Sequence, residues 1–133
     1  MKKDTILETD YATLWYYPDN KIVHHQFHKF IHGDRFREVL SKGLEIVETD
    51  GAQKWLSDDR NNSTLTAADS AWAVDVWTPR VMAAGWKYWA IVLPDKVVGK
   101  MNMQRYIEMN AELGVTIDIF DDADEALQWL ESV

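Results

Sequence analysis

The sequence predicts an α/β fold: one domain with a mostly parallel sheet of four to five strands, flanked by helices. Three observations lead there. Beyond residue 33, strand-like and helix-like apolar patterns alternate, which implies parallel strands joined by crossover helices. The segment KYWAIVL at 87–93 is almost continuously apolar, the pattern of a strand covered on both faces. The 133 residues, 47% of them hydrophobic, suit a single core and a single domain over 1–133.

Each element has its own signal. Residues 12–17, ATLWYY, are β-prone, and Pro18-Asp19-Asn20 supplies a turn, with Pro fixing φ and Asn tolerating a left-handed conformation. Residues 21–30, KIVHHQFHKF, return as a second strand, so an antiparallel hairpin opens the fold. Residues 5–9 either add to the first strand or break before Asp10. Gly33-Asp34 opens a helix with Asp34 as N-cap; Phe36, Val39, Leu40, Ile46 and Val47 recur at helical spacing, and Asp50-Gly51 stops it. A short strand at 52–57 follows.

Thr66-Ala67-Ala68-Asp69 then resembles a capping box with Asp69 at N3, and the helix carries Trp72, Val76 and Trp77. Pro79 falls inside this pattern and either kinks the helix or restarts it with Thr78 as cap. Ala84-Gly85 closes the helix, and Pro94 ends the strand at 87–93. A helix runs from about 102 to 113 and stops at Gly114. The strand VTIDIF at 115–120 precedes a last helix, capped by Asp121 or Asp122, with Ala126, Leu127, Trp129 and Leu130 on its apolar face. The predicted order is β-β-α-β-α-β-α-β-α.

Composition narrows the function classes. A net charge of −8 and a pI near 4.8 argue against nucleic acid and against an anionic membrane surface, both of which need basic patches. The basic residues stop at Arg105; beyond it lie Asp118, Asp121, Asp122, Asp124, Glu125 and Glu131. A solvated acidic edge is the simple reading, and a face for a basic protein partner is the other. There is no Cys, so disulfides, thiol catalysis and zinc fingers are excluded. MKKDTILETD has no apolar core of a signal peptide, and no apolar run approaches a membrane span. The expected location is the cytoplasm.

Candidate chemistry is thin. His24, His25, His28 and His32 cluster within nine residues. On a helix, three of them would share a face and could hold zinc; on the predicted strand, His24 and His28 point opposite to His25, so no metal site is expected. Trp15, Tyr16 and Tyr17 place aromatics on both faces of one strand: one face meets the core, and the other needs a helix, a partner chain or a ligand. Met101, Met103 and Met109 fit an ordinary core better than a ligand box. No nucleophile elbow, Walker loop or dinucleotide glycine motif is present, so neither catalytic residues nor a cofactor is assigned. In WLSDDRNNSTLTAADSAW at 55–72, Asp58 and Asp59 would point to opposite sides if the strand persists, which does not suit shared acid–base work. Arg60 is placed to pair with either. The loop does leave the carboxyl end of a strand and enter a helix N-terminus, where ligands of open α/β sheets gather.

Several segments together resemble the SpoIIAA-like family, the STAS and Sec14-like group of small bacterial α/β domains. They are WLSDDRN (55–61), TAADSAW (66–72), VWTPRVMAAGWKYWAIVLP (76–94) and FDDADEALQWL (120–130). The resemblance implies a four- or five-stranded sheet flanked by helices and a non-enzymatic role, binding protein partners under occasional phosphorylation control, or binding nucleotides or small ligands. In the anti-sigma antagonist branch a serine in a D-S-x-G-type segment is phosphorylated; here the matching place holds Asp58 to Thr64, with Ser63 as its hydroxyl and without the motif. The function expected is therefore a non-catalytic binding or regulatory module acting through a protein partner or a homodimer. Its partner surface would be Asp58, Asp59, Arg60, Asn61, Ser63 and Asp69. The second expectation is a small apolar-ligand carrier of the Sec14-like kind. Trp15, Tyr17, Trp72, Trp77 and Trp86 would line its pocket or an interface.

Overall fold

The computed structural model describes residues 2–62, 64–93 and 97–133, the side chains at 97–100 and 102 excepted. It is α/β, built on one six-stranded mixed sheet whose strands lie side by side in chain order. β1 (Asp4–Glu8), β2 (Ala12–Tyr17) and β3 (Ile22–Phe27) form an antiparallel meander. β4 (Lys54–Asp58), β5 (Tyr88–Val92) and β6 (Thr116–Phe120) then add in parallel.

The sheet has six strands where the sequence predicts four to five. Residues 4–8 form a strand of their own, and the turn that separates them from β2 lacks the usual punctuation. Thr9 Oγ1 accepts from the backbone N–H groups of Tyr11 and Ala12, both at 3.1 Å, so a hydroxyl makes the turn that Gly or Pro would otherwise signal.

α1 (Asp34–Asp50) follows β3, and its N-cap is Gly33 rather than Asp34. Gly33 takes φ +64 without a side-chain cap of its own; Asp69 reaches across to accept from its N–H at 2.9 Å. After β4 come α2 (Ala67–Trp72), a π-helical turn at Ala73–Trp77, and α3 (Thr78–Ala83). Thr66 Oγ1 caps α2 through the Asp69 N–H at 3.1 Å. The Asp69 carboxylate does not complete a capping box, because it is committed to Gly33 and Arg37 and ties the starts of α1 and α2 together.

The π turn resolves the problem posed by Pro79. The Thr78 backbone N–H bonds the Ala73 carbonyl five residues back, and its hydroxyl bonds the same oxygen at 2.7 Å. This wider turn admits a residue without an N–H and lets the helix continue. α4 (Val97–Glu112) begins well before the predicted start near 102; Pro94 lies outside the described residues. α5 (Ala123–Ser132) is capped by Asp122, whose Oδ1 accepts from the Glu125 N–H at 2.9 Å.

The two faces of the sheet are covered unequally. One carries Leu14, Tyr16, Val23, Trp55, Trp89 and Ile91 beneath α1, the α2–α3 stretch and α4. The other carries Tyr17, Ile22, Leu56, Ala90 and Val92 beneath α5, through Ala126 and Leu130. Because β3 to β6 are added in one direction with all three crossovers on one face, the crossovers share one hand. The aromatic hairpin is covered on both sides: Tyr16 donates to Asp50 at the end of α1, and Tyr17 packs with α5, so a helix supplies the second cover.

A close contact in the core joins α1 to the sheet. Gly43 lies against the Trp55 ring so closely that an added Cβ would overlap its Cη2. Replacing Gly by Ala in a helix interior ordinarily stabilises by about 0.5–1 kcal/mol. Here Gly43→Ala should instead destabilise by about 1–3 kcal/mol through overpacking. Urea denaturation reads the sign, and a stabilised variant would show that Trp55 moves aside freely.

Candidate functional site

Between the sheet and the three-helix layer lies a cavity of about 90 Å³. Its floor is aromatic for a reason of register. Trp55 on β4 and Trp89 on β5 are directly paired neighbours pointing the same way, and Trp77 and Trp86 approach from the helical side. The four indoles meet edge to face: Trp55–Trp77 at 5.3 Å, Trp77–Trp86 at 5.7 Å and Trp86–Trp89 at 5.5 Å between centroids. All four indole N–H groups are used. They donate to His25 Nδ1, the Leu40 carbonyl, the Tyr88 carbonyl and Ser57 Oγ respectively.

At the cavity lies a buried chain of three hydrogen-bonded side chains. Trp55 Nε1 donates to His25 Nδ1 at 3.0 Å, and His25 Nε2 lies 2.9 Å from Asp59 Oδ1. An indole N–H only donates, so Nδ1 must accept and the ring proton sits on Nε2, donating to the carboxylate. Both ring nitrogens are therefore engaged. A general base needs one nitrogen facing substrate while the other is oriented by a carboxylate. In the folded structure neither nitrogen of His25 meets that need.

Asp58 faces the other side of the sheet, as strand alternation predicts for adjacent residues. Arg60 clamps it through Nε at 3.0 Å and Nη2 at 2.7 Å, and that bonded carboxylate raises the guanidinium's affinity for its proton. Beside them, His24 Nδ1 meets the Tyr17 hydroxyl at 3.0 Å, and burial pushes the Tyr17 phenol up to about 12. His24 Nε2 is buried without a hydrogen-bond partner among the described residues.

The structure disperses the predicted site residues. Asp58, Asp59 and Asp69 are buried and bound inside the chain, while Arg60 and Asn61 are exposed. Ser63 lies outside the described residues. Of the predicted aromatic set, Trp77 and Trp86 line the cavity. Trp72 packs edge-on against Phe36 under Arg37, and Trp15 and Tyr17 belong to the α5 face. The histidines divide likewise: His28 bonds Thr13, and His32 stacks on the exposed Phe30. Among the described residues no three His, Asp or Glu side chains are grouped to hold a metal.

Sequence reasoning did not single out Ser57, Asn62, Trp89, Tyr106 or Asn110 as cavity residues. The alternation that set His25 apart from His24 was a usable signal for His25. The partnership of His25 with Trp55 depends on the β3–β4 register, which the sequence does not display. Nor does the sheet have a point where strand order reverses, so loops do not diverge to open a crevice at its carboxyl edge. The concavity lies between layers instead. Comparisons with protein-family models, curated proteins and solved structures return no match.

Burial holds His24 neutral in the folded chain. Burial first, then His25, lowers its imidazole from 6.5 to about 3; Asp58 acts in the opposite direction. Between those values the unfolded chain holds a proton that the folded chain lacks, so stability is full above the upper value and falls as pH drops. His24→Gln should remove this contribution, on the order of 2 kcal/mol between about pH 7.5 and 4.5. Urea midpoints of both proteins at the two pH values measure it. Equal pH slopes would show that His24 is not the sensor.

Proposed function

We propose that the chain is a non-catalytic binding module of the STAS, SpoIIAA-like type, working in the cytoplasm through contacts with a protein partner or a second copy of itself. The observation that carries this reading is the commitment of the acid–base groups in residues 55–72 and of their neighbours. His25 is held at both nitrogens, Asp59 receives His25, Asp58 receives Arg60, and Asp69 receives Gly33 and Arg37. Groups so engaged build a shape; they are poorly placed to exchange protons with a substrate. A sheet flanked by helices supports the α/β class that the resemblance implies, with six strands in place of four or five. No helix among the described residues is long and apolar enough to cross a membrane.

The partner surface we assign is the shoulder at the carboxyl ends of β3 and β4. Arg60 and Asn61 are exposed there, and so is Phe30, at 49%, with His32 stacked on it. The lipid-carrier form of the apolar-ligand reading has little room, since drug-sized pockets run to roughly 300–1,000 Å³.

Phe30→Asp and Asn61→Arg each change an exposed side chain without opening the core. Affinity capture from native lysate, paired with native mass spectrometry for a dimer, should show partner or self-association with the parent protein and at least about tenfold loss in the variants. Unchanged association in both variants would displace the surface from this shoulder.

A further inference from the structure

We infer that the cavity between the sheet and the helical layer is a binding site for a small neutral molecule carrying a carboxamide. Two side chains at its wall ask for such a ligand. Asn110, 5% exposed, donates through Nδ2 to the Tyr106 carbonyl at 2.8 Å, which orients the amide and leaves Oδ1 as an acceptor without a partner among the described residues. Asn62, 7% exposed, presents Nδ2 as a donor in the same state. A native protein buries few such groups, and each calls for an explanation. Both line this same cavity, whose remaining wall is largely aromatic and aliphatic. A site of apolar walls with a few convergent polar groups is the usual design for small-molecule recognition.

Size and charge select the class. A dry engineered cavity that binds benzene measures about 150 Å³. The cavity here, about 90 Å³, is smaller and suits a compact group of a few heavy atoms. Among the described lining residues the acid and base are Asp59 and His25, already bonded to each other, and no Lys or Arg lines the wall. A carboxylate would meet Asp59 without a countercharge, and an ammonium would be a donor where Asn62 already presents one. A carboxamide offers Asn62 its carbonyl and Asn110 its N–H. The site is independent of the Phe30 and Asn61 shoulder, so the two readings stand or fall separately.

Three small probes test it on the full chain: propionamide, its near-isostere propionate, and the cation propylammonium, titrated by ¹H–¹⁵N NMR. Propionamide should shift the side-chain amides of Asn62 and Asn110 and the indole N–H signals of Trp55, Trp77 and Trp89 saturably. Trp15 and Trp129, on the α5 face, serve as still references. The two ions should leave the cavity signals unmoved. Absence of saturation with propionamide, or equal response to all three probes, would overturn the proposal and leave a void that takes water. Asn110→Leu removes the acceptor and fills space, and should weaken binding at least about tenfold, with Asn110→Ser as the milder variant. A folded variant that binds as the parent does would also overturn it. If neither variant folds, selectivity among the probes on the parent protein decides.

Discussion

The indole of Trp55 is the joint on which the two layers meet. Its ring lies on the bare backbone of Gly43, so α1 approaches the sheet more closely than any residue with a Cβ would permit. Its N–H orients His25, and His25 in turn holds Asp59 at the start of the loop beyond β4. It meets Trp77, at the end of the π turn, in a T-shaped contact. One buried side chain thus sets a helix spacing, an imidazole tautomer and the entry of a loop. A substitution there is felt on several elements because each of these contacts is close-packed and directional.

The cavity follows from how the helical layer is assembled around that joint. α1 is drawn tight by Gly43, and the α2–α3 stretch is shaped by the π turn that accommodates Pro79. The wall on the α4 side carries Met103, Tyr106, Met109 and Asn110, a mixture of flexible, aromatic and amide groups that does not interdigitate as branched aliphatics do. Aromatic residues on the floor meet edge to face, an arrangement that leaves gaps unless a neighbour fills them. The opposite face shows the contrast. There Ile22, Leu56, Ala90 and Val92 pack under Ala126 and Leu130, all but completely buried.

Much of the architecture is legible in the sequence because it depends on local chemistry. The stops at Gly51, Gly85 and Gly114 fall where φ is positive, and Thr66 and Asp122 cap the helices they precede. The buried strand at 88–92 shows as an apolar run for the same reason. The first strand escapes notice because a threonine hydroxyl makes its turn. The cavity is harder still to read. Its polar members come from β3, β4, the following loop, α3 and α4, brought together by register and crossover rather than by spacing along the chain. Asp58, Asp59 and Asp69 look like a surface cluster in one dimension. In three, each is drawn inward by a different cation, imidazole or amide.

Among the described residues α5 is the one helix on the second face, and this bears on the order in which the molecule is made. Strands laid down in sequence, each beside the last, allow the sheet to grow from its N-terminal meander as the ribosome delivers it, with mostly near-neighbour pairings to find. The three crossover helices close their face unit by unit. Tyr17, Ile22 and Leu56 wait for α5, which emerges after every strand is in place. Until then the nascent sheet carries an uncovered apolar surface, and chaperone attention during synthesis should centre on that face rather than on the one with the tryptophans.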